Sequence, residues 1–363
     1  MRSRQSTAPG LRNLRDLPGT GGYQDQDQAR QGEKAVVIRI ALDAMGGDFA
    51  PAELVKGAVL ASLEYPVSLV LVGDENRLKS ELARHRKKGS LSIIPATEVI
   101  GNNESPVAAV KQKKNSSLNV AVNLVKTKQA DAIVSAGNTG ALMTSALFGL
   151  GRVAGVERPA IATVFPTPKG PVVLLDMGAN VDCKPRHLQQ FAEMGAQYAE
   201  HVMHINNPTV GLLNIGEEKE KGNELSVQTW SLLKETKINF IGNVEAKEIM
   251  SGGVNVVVCD GFIGNLILKF SESVSSFILG LIKDELQKNL LSKLAALLLL
   301  PALARIKKKV DYDEFGGAPM LGINGVVYKA HGRAKAKAIK NAIRVAYEAA
   351  REDLVGCISK MEE

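Results

Sequence analysis

The chain has 363 residues, 45% of them hydrophobic and 23% charged, so it is long enough to bury one large core or two smaller ones. Aromatic residues make up only 4% of the chain while glycine occurs 34 times, which favours an α/β protein with tight turns and argues against a nucleic-acid partner bound by base stacking. The net charge of +7 favours an acidic partner, whether nucleic acid, an anionic lipid surface or an acidic protein.

Three features of the chain bear on its location. Residues 1–35 contain no apolar signal-peptide core and are rich in polar residues and glycine, so we expect a disordered N-terminal extension before an ordered domain over 36–363. No apolar stretch of about 18–20 residues is present, so we expect no membrane-spanning helix. The cysteines Cys183, Cys259 and Cys357 are far apart, which is typical of reduced thiols in a cytosolic protein.

Short apolar runs that end in glycine-rich turns recur along the chain and alternate with helical patterns. Strands are predicted at 36–42, 67–72, 91–95, 132–135, 172–175, 210–213, 240–241, 256–259 and 325–329. Helices are predicted to begin near Pro51, Asp74, Ser105, Ser117, Gly140, Asn223 and Leu266, and a long helix closes the chain. This alternation predicts an α/β protein, with a parallel sheet covered by helices on both faces.

The stretch 254–269, VNVVVCDGFIGNLILK, contains a buried strand, a glycine turn and the start of a helix. Free N–H groups at such a helix start favour an anion, although an ordinary capped turn has the same pattern. Similar turns carry polar side chains after most of the other strands. These side chains are Asp43, Asn138, Asp176, Asn180, Asn214, Lys221, Asn223, Asn243, Asp260 and Asn265. Because ligands bind at the carboxyl ends of parallel strands, the set predicts a phosphate or carboxylate site.

Several catalytic motifs are missing from the sequence. There is no G-x-G-x-x-G after the first strand, no phosphate-binding G-x-x-x-x-G-K-[ST] loop and no G-x-S-x-G elbow. No cysteine lies beside a histidine partner, and the five histidines show no metal spacing, so we expect neither a metal nor a cofactor. His331 and the group Lys111, Lys113 and Lys114 are candidates for anion contact, although solvated side chains explain them as well.

The segment 283–310 is leucine-rich and then basic, and we expect it to protrude as a helical element. In one interpretation its leucines pack in the core or in a dimer. In the other, Leu297, Leu298, Leu299 and Leu300 enter a bilayer while Lys307 and Lys308 meet anionic headgroups. The leucine-rich and basic pattern fits both interpretations.

Eight motifs in one order resemble the bacterial phosphate acyltransferase family of phospholipid synthesis, the PlsX family. They are 42–48 (LDAMGGD), 113–117 (KKNSS), 135–141 (SAGNTGA), 176–182, 221–225 (KGNEL), 242–245 (GNVE), 260–265 and 316–318. The resemblance extends from about Val37 to the C-terminus. Phe49, where many members have histidine, and Cys183, where a small residue is common, depart from the family pattern without removing a motif residue.

The resemblance implies a three-layer α/β/α doubly wound sheet like that of isopropylmalate dehydrogenases and phosphotransacetylases. It implies transfer of a long-chain acyl group from acyl carrier protein to inorganic phosphate, without a cofactor. The acyl phosphate would then serve a membrane-bound glycerol-3-phosphate acyltransferase. The family also implies a cytoplasmic homodimer that associates peripherally with the inner face of the cell membrane.

The resemblance assigns the catalytic roles to Lys221 and Asn265. Lys221 would bind phosphate or developing charge, and Asn265 would donate to the oxyanion or orient the phosphate. The remaining candidates for phosphate or substrate binding are Asp43, Gly46, Gly47, Asn138, Gly140, Asp176, Asn180, Asn223, Asp260 and Gly264. The alternatives are a dehydrogenase, a phosphotransacetylase that uses coenzyme A, and a regulator that binds lipid intermediates without catalysis.

Overall fold

The computed structural model describes residues 37–288, 292–293, 296–299, 301–302 and 316–362, and their strands form two sheets. The strands are β1 (Ile38–Asp43), β2 (Val67–Gly73), β3 (Leu91–Pro95), β4 (Ala132–Ser135), β5 (Ala160–Ile161), β6 (Thr163–Phe165), β7 (Val172–Leu175), β8 (Thr209–Leu213), β9 (Asn239–Val244), β10 (Val256–Val258), β11 (Ala318–Leu321) and β12 (Val326–Lys329). The helices are α1 (Ala52–Glu64), α2 (Glu75–Ala83), α3 (Pro106–Gln112), α4 (Ser117–Lys126), α5 (Thr139–Gly149), α6 (Pro185–His201), α7 (Glu224–Lys234), α8 (Ala246–Ser251), α9 (Gly261–Gln287), α10 (Ala336–Arg351) and α11 (Leu354–Ser359), followed by a 3₁₀ turn (Lys360–Glu362).

The first sheet has seven strands in the order β3-β2-β1-β4-β12-β11-β5. The neighbours from β3 to β12 are parallel, whereas β11 is antiparallel to both β12 and β5. Its central strands β1 and β4 are almost wholly buried and aliphatic, as expected for parallel strands covered on both faces. The carboxyl ends of β1, β4 and β12 therefore lie side by side.

The second sheet has five strands in the order β6-β7-β10-β8-β9. Strand β6 is antiparallel to β7, and the other neighbours are parallel. A single residue, Ala162, separates β5 in the first sheet from β6 in the second, so the chain passes between the sheets at this point. The loops after β7, β10 and β8 share the carboxyl edge of the second sheet.

The predicted alternation of strands and helices is confirmed, and all nine predicted strands are present. The sheet, however, is divided in two, and the short strands β5, β6 and β11 were not predicted. The proposed N-terminal extension over 1–35 lies outside the described residues, so its disorder stays a prediction.

Helix α9 departs from an ordinary surface helix. Among its 27 residues only Gly261 and Gly264 are buried, while Phe270 and Phe277 are 68% and 66% exposed. By length and composition alone α9 could cross a membrane. The sequence did not indicate this, because Lys269, Glu272 and several serines interrupt the apolar residues of the helix.

Part of the proposed membrane segment is described. Leu297, Leu298 and Leu299 are helical and exposed, and Leu298 has the largest exposed fraction at 83%. Leu300, Lys307 and Lys308 lie outside the described residues. The described leucines are therefore not core residues of this chain.

Candidate functional site

A cavity of about 410 Å³ lies between the two sheets, at the carboxyl ends of their strands. On the side of the first sheet, the cavity wall is formed by the turns after β4 and β12 and by the residues before β11. The second sheet contributes the loop after β7 and one side of α9. The lining residues are Thr139, Ile161, Thr163, Val164, Met177, Gly178, Asn265, Leu268, Lys269, Glu272, Gly316, Gly317, Ala318, Lys329, His331 and Gly332.

The turn after β1 does not line the cavity, but it packs against the turns after β4 and β12, which do. The Asp43 carboxylate is buried and accepts a hydrogen bond of 2.7 Å from the Ser135 hydroxyl at the end of β4. Burial raises the pKa of Asp43, although hydrogen bonds from Ser117 and Ser135 oppose the shift. A side chain at Gly46 would come within 2.8 Å of the Gly137 nitrogen, and one at Gly47 within 3.1 Å of the Gly332 oxygen. These two glycines let the turns after β1, β4 and β12 pack closely.

Asn138 holds the start of α5 in place. Its side-chain oxygen accepts from the Ala141 nitrogen at 3.0 Å, which caps the helix. Its amide nitrogen donates to carbonyl oxygens of the 101–104 loop, including that of Asn102 at 3.0 Å. Gly140 packs against Pro106, where a side chain would come within 2.7 Å of the proline ring. Thr139, between them, lines the cavity.

The loop after β7 is held by Asp176. Its buried carboxylate accepts from the nitrogens of Ile161 and Asn180 at 2.9 and 2.6 Å, and from the Asn180 amide at 2.9 Å. Burial raises the pKa of Asp176, although the hydrogen bonds from these donors oppose the shift. The Asn180 amide also donates to the Pro159 oxygen at 2.8 Å. Asp176 and Asn180 therefore shape the loop, and Gly178 at its tip reaches the cavity.

The N-terminus of α9 is fitted into that loop. The Asp260 carboxylate caps the helix by accepting from the Ile263 nitrogen at 2.9 Å. The Gly261 nitrogen donates to the Asn180 oxygen at 2.8 Å, and a side chain at Gly264 would overlap the carbonyl oxygen of Asp176. This close packing places Asn265 against Gly178 and in the cavity wall.

Two cavity lysines were not singled out from the sequence. Lys269 is exposed and pairs with Glu272 at 2.9 Å on the α9 side. Lys329 is half-buried at the end of β12, and burial lowers its pKa to about 8 although the charges of Asp43 and Asp48 oppose the shift. Its position as the last residue of a predicted strand was the available signal. His331, a predicted anion contact, also lines the cavity.

The predicted residues Lys221 and Asn223 lie on another loop, between β8 and α7. Asn223 caps α7 by accepting from the Ser226 nitrogen at 2.9 Å. Lys221 is exposed; its backbone oxygen accepts from the Asn214 amide at 2.8 Å. This loop follows β8, which pairs with β10, so it lies at the same sheet edge as Asp260. Neither residue lines the cavity, and the catalytic role of Lys221 stays a prediction.

The thiols near the site are poor nucleophiles. Burial, followed by the charges of Asp176 and Asp260, raises the pKa of Cys183 to about 12. Burial also raises the pKa of Cys259 well above its usual value. Within the described part of the chain, no group of three or more His, Cys, Asp or Glu side chains is placed to hold a metal ion.

The two parallel-rich sheets define an α/β protein, and a glycine-lined cavity lies between the ends of their strands. The family model described as a fatty acid synthesis protein matches residues 38–356. The chain belongs to this family, the phosphate acyltransferase or PlsX family of transferase enzymes, and the predicted resemblance is confirmed.

Similar proteins include the phosphate acyltransferase of Desulforamulus reducens, which is 52% identical over 327 residues, covering 90% of this chain and 98% of the relative. That of Pelotomaculum thermopropionicum is 50% identical over 329 residues, covering 90% and 96%. Among solved structures, a phosphotransacetylase from Streptococcus pyogenes has a TM-score of 0.62 at 16% identity, covering 90% of this chain and 98% of the other. EutD phosphotransacetylase from Staphylococcus aureus has a TM-score of 0.58 at 15% identity, covering 87% and 94%. The two structures share the fold with this chain.

Proposed function

We propose that this enzyme transfers a long-chain acyl group from the thioester of acyl carrier protein to inorganic phosphate. The cavity between the sheets supports this reaction most directly, because two lysines, an asparagine amide and close glycine turns line the same cavity. Those groups suit an anionic nucleophile and a polarised carbonyl. The positive net charge of the chain is complementary to an acidic carrier protein.

In this reaction the nucleophile comes from the substrate. A phosphate oxygen attacks the thioester carbon, and the carbonyl π electrons move to the oxygen to give a tetrahedral oxyanion. The intermediate collapses by breaking the carbon–sulfur bond, so that the electron pair leaves with sulfur. The thiolate takes the proton that the phosphate loses, and the products are acyl phosphate and the free carrier thiol.

The described cavity lining is consistent with a reaction in which the substrate supplies the nucleophile. It contains no cysteine or serine among the residues that the structure describes, and the raised pKa of Cys183 keeps that thiol protonated. The protein's contribution would therefore be to position phosphate and to stabilise the oxyanion, and each of these effects can accelerate a reaction strongly.

Asn265 would provide the oxyanion donor, because its side chain lies in the cavity wall beside Gly178. Lys221 would act from the neighbouring loop. This role requires the exposed Lys221 side chain to reach the substrate once the carrier protein is bound. Asp43, Asp176 and Asn138 would act indirectly, by holding the turns that shape the cavity.

The reaction can be tested directly with the purified full-length chain. Long-chain acyl carrier protein is incubated with and without phosphate, while free thiol is titrated and acyl phosphate is detected by mass spectrometry. We expect both products to appear together and only with phosphate. Turnover of coenzyme A thioesters with an inert acyl carrier protein would instead assign a phosphotransacetylase activity, and thioester release without phosphate would exclude both.

We also propose that the enzyme works as a homodimer at the cytoplasmic face of an anionic membrane, where a membrane-bound glycerol-3-phosphate acyltransferase would receive the acyl phosphate. The exposed apolar residues of α9 and the exposed Leu297–Leu299 support an apolar partner for this surface. An acyl phosphate is amphipathic. If the enzyme released it beside a bilayer, its apolar chain would not have to pass through water.

A further inference from the structure

Lys329 occupies an unusual position for a lysine. It is the last residue of β12, in register with Ser135 of the parallel strand β4, and its side chain lines the cavity. Its Nζ atom donates a hydrogen bond to the carbonyl oxygen of the adjacent Ala330. No carboxylate in the described part of the chain forms an ion pair with it, whereas the other cavity lysine, Lys269, pairs with Glu272.

A half-buried ammonium without a paired carboxylate is stabilised when an anion neutralises it, because burial penalises an isolated charge. Asp43 and Asp48 are close enough to influence its charge, but neither contacts it. The Asp43 carboxylate instead accepts from Ser135. Two of the three ammonium donors therefore remain available for a ligand in the cavity.

The surroundings of Lys329 also favour an anion. Thr139, the first residue of α5, lines the same cavity, and the first N–H groups of a helix have no intrahelical partner. His331 and the glycines Gly316 and Gly317 complete this side of the wall. Asn265 lies on the α9 side, so an anion beside Lys329 would share the cavity with an acyl carbonyl beside Asn265.

We propose that Lys329 is a further catalytic residue of this enzyme, the cation that binds the attacking phosphate within the cavity. This inference rests on the proposed transfer to phosphate and adds the residue that holds the nucleophile. Lys221 is exposed on a separate loop, so the two lysines would serve different parts of the reaction. Lys329 neither forms nor breaks a covalent bond in this role.

The inference predicts a specific pH dependence. Lys329 must be protonated to bind phosphate, and burial lowers its pKa to about 8 in the free enzyme. The kcat/KM for phosphate should therefore fall as pH rises through about 8. The charged groups that act on Lys329 are Asp43 and Asp48 from the β1 turn, while His331 and the Lys269–Glu272 pair of α9 line the same cavity.

Three variants test this assignment in the full-length protein. Lys329→Met keeps the length of the side chain but removes its charge, and we expect kcat/KM for phosphate to fall on the order of 10- to 100-fold, the usual effect of losing a charge-assisted hydrogen bond. Lys329→Arg stays protonated throughout the range. We therefore expect it to recover part of the activity and to lose the alkaline decrease near pH 8. Phosphate's own titration is common to both enzymes and cancels in the comparison.

Lys340→Met is the matched control. Lys340 is also a half-buried lysine, but it lies on α10, bonds to Glu64 at 2.8 Å and does not line the cavity. Its replacement should leave the KM for phosphate and the alkaline limb unchanged. Thermal unfolding with and without phosphate gives a readout that does not depend on turnover. Phosphate should raise the unfolding temperature of the wild type and of Lys340→Met, and not that of Lys329→Met.

The outcomes separate this inference from the proposed reaction. If the wild type shows no phosphate-dependent acyl release, the proposed function itself fails. If the wild type is active and Lys329→Met retains its KM and its thermal response to phosphate, the assignment of Lys329 is wrong. A loss of unfolding temperature in Lys329→Met with an unchanged KM would also overturn it, because that result describes a purely structural lysine.

Discussion

The strand-end asparagines Asn138, Asn180 and Asn265 differ in what their amide groups contact. Asn138 bonds to the 101–104 loop and caps α5, and Asn180 bonds to Pro159 and Asp176. Their donors are therefore used within the protein. Asn265 lines the cavity and does not cap α9, a role that Asp260 fills. At the residue scale, only the last of these three amides is placed to meet a substrate.

Replacing Asn265 with alanine should lower kcat by about 10²–10³-fold, the effect of removing one oxyanion donor. Because Asn265 is exposed and caps no helix, the free energy of unfolding should change by less than about 0.5 kcal/mol. Stopped assays of acyl phosphate and urea unfolding measure the two quantities. Asn123→Ala, on the exposed side of α4, is the control and should leave both unchanged. A normal kcat for Asn265→Ala would remove this residue from the mechanism.

Lys221→Ala tests the exposed loop after β8. The loop is fixed by backbone contacts, from the Lys221 nitrogen to the Glu218 oxygen and from the Asn214 amide to the Lys221 oxygen. The substitution should therefore abolish turnover while the folded state keeps its stability. Circular dichroism and urea unfolding check the fold. Near-normal turnover of acyl carrier protein substrate would show that the loop does not take part in the chemistry.

At the scale of elements, the N-terminus of α9 and the loop after β7 form one unit. Gly261 and Gly264 allow the helix to approach the backbone of Asp176 and Asn180, closer than any side chain would permit. That approach fixes Asn265 beside Gly178. The geometry of the cavity wall therefore depends on glycines that themselves contact no ligand.

Gly264→Ala should destabilise the protein and lower activity together. The new methyl group would overlap the carbonyl oxygen of Asp176, so the helix must shift, at a cost of about 1–3 kcal/mol or more. Gly280→Ala, in the same helix, is the matched control. It meets no atom within 4 Å and should stabilise α9 by up to about 1 kcal/mol. Urea unfolding of both variants measures the difference, and equal stabilities would contradict the close packing.

Much of the fold could be predicted because most of its parallel strands are aliphatic runs that end in glycine turns. The strands that escaped prediction have no such signal. β5 is two residues long, β6 is three, and β11 contains Pro319, which argues against a strand. Because β5 and β6 carry the chain between the sheets, the division into two sheets was not visible in local sequence patterns.

The site was predictable in outline and less so in detail. Position at a strand end identified Asn265, but the same rule also selected Asp176 and Asn180, which bond to each other. It passed over Lys329, because a lysine at a strand end is most often solvated. Which polar groups satisfy one another is decided by contacts between distant segments, and spacing along the chain does not report those contacts.

At the scale of the whole molecule, α9 connects the cavity to an apolar outer surface. Asn265, Leu268 and Glu272 line the cavity, while Phe270 and Phe277 of the same helix face outward. In the proposed reaction, the thioester of a long apolar acyl chain would meet phosphate inside the cavity. In that proposal one helix carries both the cavity wall beside the thioester and an exposed apolar surface that lipid or a second copy of the chain would cover.

Two pairs of substitutions distinguish what covers this surface. Phe270→Glu with Phe277→Glu should convert the proposed homodimer to a monomer, because each buried phenylalanine contributes roughly 1.5–3 kcal/mol to association. Leu298→Glu with Leu299→Glu should instead leave the dimer intact and release the protein from anionic vesicles, since acidic residues are repelled by the headgroups. Native mass spectrometry and vesicle flotation measure the two effects. If the leucine variant floats normally but becomes monomeric, those leucines belong to the dimer interface, and membrane contact must lie elsewhere.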